Sequence, residues 1–119
     1  MALEFNYQIQ DQVATLKLSG KIMEIGDTDE LLSTIDKLTF EGTINFILDL
    51  NKLSYINSSG LNSLINILTK SRNAGGDTIL CSVNDKISKL FLITKLNTLF
   101  TITEHENEAH KLFSEKLKV

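Results

Sequence analysis

The sequence predicts one α/β domain over residues 1–119, with its strands and helices in the order ββαβαβαβα. Three observations lead to this prediction: an alternating apolar pattern near the N-terminus, a short apolar run in the middle, and apolar stripes at helical spacing after most of the strands. Strands that alternate with helices need crossover connections. We therefore expect a mixed, mostly parallel sheet with helices packed against it.

The first three predicted elements are a hairpin and a helix. Apolar and polar residues alternate from 5 to 9, and the alternation resumes from 14 to 18 after the polar residues 11–12. Apolar residues then recur at helical spacing from 31 to 38, behind the polar residues 27–29, which are candidate caps. A helix should therefore follow the hairpin.

The run 44–50 is short, mostly apolar and rich in residues that favour strands, as is typical of a strand covered on both faces. It is the predicted central strand. The remaining predicted elements, in chain order, are a helix with its apolar stripe over 61–68 that ends at 74–76, a strand over 78–81, a helix with its stripe over 87–94, a strand over 99–102 and a helix with its stripe over 109–117.

Composition narrows the function classes. The 12 basic and 15 acidic side chains give a net charge of −3, without a basic block, which argues against nucleic acid as a partner. The single cysteine excludes an internal disulfide and a site with several thiolate ligands, and fits a reducing compartment. Residues 1–10 carry no basic stretch and no apolar run, and no segment of the sequence approaches the ~20 apolar residues that a membrane span requires. We expect a cytoplasmic protein, monomeric in isolation, with no membrane insertion and no cofactor.

The segment Asn57-Ser58-Ser59-Gly60 stands at the predicted start of the second helix. The first N–H groups of a helix are unpaired and carry a partial positive charge, which suits an anion such as a phosphate on Ser58. Asn and Ser are also common helix caps, and on these residues alone simple capping is the favoured interpretation. The four residues alone leave both interpretations open.

The wider sequence adds a family resemblance. The element order, together with Asp49-Leu50 leading to Ile56-Asn57-Ser58-Ser59-Gly60-Leu61, resembles the STAS domain of bacterial anti-sigma factor antagonists, in which Asp-Leu precedes Asp-Ser-Ser-Gly-Leu. The resemblance covers nearly the whole chain. It is supported by Gly75-Gly76, Cys81-Ser82-Val83 and Lys89-Leu90-Phe91.

The resemblance implies a partner-switching protein rather than an enzyme. Ser58, with Ser59 as second choice, would be phosphorylated by an anti-sigma factor that is also a serine kinase. The unphosphorylated form would bind that kinase and release the sigma factor, and a serine phosphatase would reset the switch. Asn57 replaces the usual Asp of this pattern, although the two residues are nearly equivalent as caps.

A contact surface is expected around Ser58. Its predicted members are Ile22, Met23, Glu24, Ile25, Asn57, Ser58, Ser59, Asn62 and Asn66. Two alternatives stay open: Ile22 and Ile25 could instead cover the edge of the core, and the stripe of Asn62, Asn66 and Lys70 could simply be a solvated helix face.

Other chemistry-bearing residues support weaker hypotheses. His105 and His110 point roughly 140° apart on a helix, so they should not share a metal and are assigned to a solvated, charged face. Cys81 should be a buried apolar residue rather than a nucleophile. Asp49 ends the predicted central strand, where α/β sheets often bind ligands. An enzyme or a small-molecule binder is nevertheless only the third function hypothesis, because the sequence contains no phosphate-loop motif and no nucleophile motif.

The second function class is a STAS-like adaptor that never carries phosphate. Examples are the accessory subunit of a lipid-transport ABC system and a component of a signalling scaffold. The fold would be the same as that of the antagonist, so the two classes differ only in their partners and in phosphorylation.

Overall fold

A computed structural model describes residues 3–117 of the chain, apart from the side chains of Ile25 and Leu117. The predicted order ββαβαβαβα is confirmed. The elements are β1 (Leu3–Gln10), β2 (Val13–Ile22), α1 (Asp29–Phe40), β3 (Asn45–Ile56), α2 (Ser58–Asn73), β4 (Asp77–Cys81), α3 (Asp85–Thr94), β5 (Thr101–Thr103) and α4 (Glu106–Leu117), with short 3₁₀ turns at Ile25–Thr28 and Leu96–Thr98.

The five strands form one sheet in the order β1-β2-β3-β4-β5. Strand β1 is antiparallel to β2, and each later neighbouring pair is parallel, which confirms the mixed, mostly parallel sheet. The chain advances by one strand at each crossover, always in the same direction. Because such crossovers are right-handed, α1, α2 and α3 all lie on one face of the sheet. Helix α4, which follows the last strand, packs on the opposite face.

The core therefore has two layers. The larger layer joins alternate residues of the central strands, such as Leu16, Leu48 and Leu80, to the apolar stripes of α1, α2 and α3. The smaller layer packs Val13, Ile47, Ile79 and Cys81 against Ala109 and Phe113 of α4. Strand β3 contributes to both layers, as its continuous apolar run predicts.

Strand β3 is longer than the sequence pattern indicates. The pattern ends the strand at residue 50 and places a loop before Asn57, whereas β3 continues to Ile56. Its pairing with β4 stops at Asp49, and beyond that point it pairs only with β2, through two register shifts. This extension exposes the polar residues of 51–55, which explains why the sequence looked like a loop. It also carries the chain past β4 to the start of α2.

Candidate functional site

Asn57 is the N-cap of α2. Its side-chain Oδ1 accepts a hydrogen bond of 3.0 Å from the backbone N–H of Gly60, the third residue of the helix. Ser58 is the first helical residue and its side chain is exposed, whereas Ser59 is half-buried. The hydroxyl of Ser58 therefore lies at the N-terminus of α2, as the sequence predicted.

The amide of Asn57 has a second role that the sequence does not show. Its Nδ2 donates to the backbone carbonyl of Met23, and its backbone N–H donates to the carbonyl of Ile22 at 3.2 Å. A carboxylate at this position could cap α2 but could not donate to Met23. The Asn in place of the usual Asp thus ties the loop after β2 to the start of α2.

Asp27 holds the other side of this loop. One of its carboxylate oxygens accepts hydrogen bonds from the backbone N–H groups of Met23, at 2.9 Å, and Glu24, at 3.0 Å. These two donors, Met23 more than Glu24, lower the pKa of the Asp27 carboxyl. In the buried layer below, the hydroxyls of Thr28 and Ser63 lie 2.8 Å apart and join the loop to α2.

Gly60 permits the close approach of α2 to the end of the sheet. A Cβ at this position would lie 2.7 Å from Cγ2 of Ile22 and would collide with Cγ1 of Ile56. Ile22 itself has no exposed surface, because it packs beneath the first turn of α2. Ile22 therefore covers the edge of the core and does not belong to the contact surface, contrary to the prediction.

The other predicted contact residues lie around Ser58. Asn62 and Asn66 are exposed one and two turns further along the stripe of α2 that begins at Ser58. Met23, which is 49% exposed, and the exposed Glu24 belong to the loop that Asn57 holds against the helix start. The side chain of Ile25 lies outside the part of the chain that the structure describes.

A groove next to Ser58 is a feature that the sequence reasoning missed. We call it the α2–α3 groove; it has a volume of about 380 Å³ and is lined by Ser54, Tyr55, Ile56, Asn57, Ser58, Leu61, Lys86, Ile87, Leu90 and Thr94. The ammonium of Lys86 lies 5.8 Å from the centre of the Tyr55 ring. The sequence pattern predicts a loop at Tyr55, and only the packing of α3 beside the end of β3 brings Lys86 to it.

Cys81 and Asp49 do not form a reactive site. Cys81 is buried, as predicted, and burial followed by the nearby charge of Asp49 raises the pKa of its thiol to about 12. Asp49 lies within β3 rather than at its end, and it accepts a 2.9 Å hydrogen bond from the N–H of Asn51. Asp49 therefore does not occupy the strand end at which the sequence predicted a ligand site.

The two histidines have different surroundings. His105 is exposed beside Glu104 and Glu108. One possible metal-ligand atom from each of the three side chains lies within 4.8 Å of the other two. Exposed acidic groups commonly cluster in this way without binding an ion. The prediction places His110 on a solvated face, whereas it is half-buried and its Nε2 lies 3.1 Å from the hydroxyl of Thr15 in β2. The same nitrogen is 3.3 Å from the carboxylate of Glu106.

Known proteins are similar to this chain in sequence and in architecture. The family model of the STAS domain matches residues 4–109. The anti-sigma-B factor antagonist of Staphylococcus aureus is 26% identical over 104 residues, which cover 87% of this chain and 95% of that protein. None of the helices within 3–117 combines the length and the apolar content that a membrane crossing needs.

Solved structures give the same result for the fold. The anti-sigma factor antagonist SpoIIAA in its unphosphorylated form superposes with a TM-score of 0.77 at 18% identity, over 93% of this chain and 97% of the other. The Bacillus SpoIIAA in its phosphorylated form superposes with a TM-score of 0.71 at 18% identity. The match covers 92% of this chain and 99% of that one. A sulfate transporter family protein from Wolinella succinogenes superposes with a TM-score of 0.80 at 16% identity. The match covers 94% of this chain and 93% of that one.

The chain therefore belongs to the STAS domain family. The match of the family model to residues 4–109 confirms the family that the Ser-Ser-Gly-Leu segment and the element order indicated, and the Staphylococcus aureus relative is named an anti-sigma-B factor antagonist.

Proposed function

We propose that this protein is an anti-sigma factor antagonist whose binding is controlled by phosphorylation at Ser58. The unphosphorylated form binds an anti-sigma factor that is also a serine kinase, and the sigma factor is released. Phosphorylation of Ser58 ends that binding, and a serine phosphatase restores it. The observation that carries this proposal is the exposed hydroxyl of Ser58 at the first position of α2, beside an exposed loop and helix stripe.

The electrostatics of α2 support Ser58 as the acceptor. The first turn of α2 contains no acidic residue, so no side chain of that turn offsets its partial positive charge. A phosphate, which adds about −1.5 to −2 charges at pH 7, is therefore tolerated there without unfolding the domain. Ser59 is half-buried, so its hydroxyl is the less accessible of the two.

The proposed contact surface consists of Met23, Glu24, Asn57, Ser58, Ser59, Asn62 and Asn66. A phosphate at the centre of this surface would lose its hydration on docking, and such a loss is costly unless the partner supplies matching charges. The same group is well solvated when the protein is free. Phosphorylation therefore weakens the complex while the fold is retained.

Phosphotransfer from the serine kinase of the same genome, with ATP and Mg²⁺, tests the proposal. Mass spectrometry should find one phosphate, on the peptide that contains Ser58. The Ser58→Ala variant should stay unmodified, while the matched Ser59→Ala variant should still accept the phosphate. A protein that takes no phosphate, or takes it away from these two residues, would contradict the proposal.

The consequence for binding is tested with the same kinase. Ser58→Asp should bind the kinase more weakly than the wild type, and Ser59→Asn, which adds no charge, should bind it better than Ser58→Asp. Isothermal titration calorimetry measures both affinities. Equal affinities of Ser58→Asp and the wild type would contradict the charge argument.

A STAS adaptor without phosphorylation is the second candidate. It is favoured by Asn57, which stands where the resemblance expects Asp. An adaptor of a lipid-transport ABC system should be encoded beside the transporter genes, whereas an antagonist should be encoded beside a serine kinase or phosphatase. Inspection of the neighbouring genes therefore distinguishes the two candidates.

A further inference from the structure

The α2–α3 groove has rigid apolar walls. Ile56, Leu61 and Ile87 line it and are themselves 3%, 6% and 2% exposed, so their positions are determined by the core from which they project. Leu90 of α3 adds a half-buried wall. A volume of about 380 Å³ is at the lower end of the usual range for ligand pockets, about 300–1,000 Å³. The groove therefore suits a few side chains better than a large cofactor.

The charge of the groove is uneven. Lys86 is the one charged residue among the described residues that line it, and no carboxylate lines it. The ammonium of Lys86 is held over the Tyr55 ring, 5.8 Å from its centre. The chain as a whole has a net charge of −3, so the positive charge of the groove is a local feature. An apolar groove with one cation beside it is complementary to an anion that lies next to an apolar side chain.

We infer that the α2–α3 groove docks a segment of the anti-sigma factor in which an apolar side chain lies next to a carboxylate. The apolar side chain packs between Leu61, Ile87 and Leu90, and the carboxylate pairs with Lys86. This inference rests on the proposed function, since that function supplies the partner.

Ser58 connects the groove to the switch. Its side chain lines the same groove as Lys86, so a phosphate on Ser58 brings about −1.5 to −2 charges to a site whose lining otherwise carries a single positive charge. The groove then changes from net positive to net negative. An incoming carboxylate that was attracted is now repelled, and phosphorylation closes the groove to its ligand without a change of fold.

The test uses the whole ¹⁵N-labelled protein and two defined probes, the peptides acetyl-Leu-Asp-Leu-amide and acetyl-Leu-Asn-Leu-amide. In an NMR titration, the Asp peptide should shift the amide signals of Ile87 and Leu90 and bind about two- to fivefold more tightly than the Asn peptide, as for an exposed ion pair. Equal affinities, or shifts confined to other surfaces, would overturn the inference.

Matched variants locate the cation. Lys86→Met keeps the apolar stem and should abolish the preference for the Asp peptide, whereas Lys89→Met, exposed on α3 outside the groove lining, should retain it. Protein with phosphoserine inserted at position 58 during translation should also lose the preference. If Lys86→Met or the phosphorylated protein keeps the full preference, the inference is wrong.

The outcome is separable from that of the proposed function. The peptide titration needs no kinase, so a failure of phosphotransfer does not affect it. Conversely, a groove that ignores the Asp peptide leaves phosphorylation of Ser58 intact and excludes only this mode of docking.

Discussion

Helices α2 and α3 begin at the same edge of the sheet and are capped in the same way. In each, an Asn side chain accepts a 3.0 Å hydrogen bond from the N–H of the third helical residue, Asn57 from Gly60 and Asn84 from Ile87. In each, the Nδ2 of that Asn donates to a backbone carbonyl of another segment, Met23 for Asn57 and Leu53 for Asn84. Capping therefore does not distinguish the proposed site from an ordinary helix start.

The difference lies in the residues after the cap. Helix α3 begins with Asp85, so its partial positive charge already has an acidic neighbour, and its third residue, Ile87, enters the core. Helix α2 begins with Ser58 and Ser59, has no acidic residue in its first turn, and has Gly60 where α3 has Ile87. The candidate site is therefore defined by a helix N-terminus that has no acidic residue in its first turn and lies next to a hydroxyl, and not by the cap.

The largest expected effect tests the close approach of α2. In Gly60→Ala the new methyl group meets Ile22 and Ile56, and overpacking of this kind should lower the free energy of unfolding by about 1–3 kcal/mol. The matched control is Gly26→Ala, whose added Cβ would lie 3.8 Å from Oδ2 of Asp29, an ordinary van der Waals contact. Urea unfolding followed by circular dichroism measures both. A Gly60→Ala protein as stable as the control would contradict the packing argument.

A smaller effect tests the double role of the caps. Asn57→Asp and Asn84→Asp both keep the capping oxygen and lose the donor to a backbone carbonyl, so each should cost about 0.5–1.5 kcal/mol at pH 7. Asn57→Ala and Asn84→Ala, which also lose the cap, should cost more. Thermal unfolding of the four variants and the wild type measures the order of their stabilities. If Asn57→Asp matches the wild type, Nδ2 of Asn57 does not hold the loop.

The pH dependence of stability tests how Asp27 holds the loop after β2, which is joined to α2 but not to α3. The folded-state pKa of Asp27 is lowered by the N–H donors of Met23 and Glu24. Its stabilising effect is therefore complete above its unfolded pKa, near 3.8, and is lost as the pH falls through the lower folded value. Asp27→Asn should be less stable than the wild type at pH 7, and the difference should shrink below pH 4. A difference that stays constant from pH 7 to pH 2 would contradict this assignment.

The smallest effect compares the two helix termini directly. Ser58→Asp adds a carboxylate where α2 has none, and should leave stability unchanged or raise it by up to about 0.5 kcal/mol. Ser88→Asp on α3 places a carboxylate three residues after Asp85, and should give no gain because like charges repel at this spacing. Urea unfolding at low salt measures the stability of both variants, because urea carries no charge that would screen the effect. A clear loss of stability in Ser58→Asp would contradict tolerance of a phosphate at α2.

The local patterns in the sequence predicted much of this molecule. The alternation in β1 and β2, the apolar run of β3 and the stripes of the helices depend on residues near one another in the chain, so their periods reveal the elements. The position of Ser58 at a helix start belongs to the same class, because a cap and the first turn are contiguous. The cytoplasmic location and the monomeric state stay predictions.

Which residues share a surface depends on tertiary packing. Ile22 is buried because α2 packs on it, His110 faces Thr15 because α4 crosses the back of the sheet, and Lys86 reaches Tyr55 because α3 lies beside an extended β3. Each of these contacts joins segments far apart in the chain, and a local pattern carries no information about them. The sequence thus determined the elements and the candidate hydroxyl, while packing determined the groove and the surface around it.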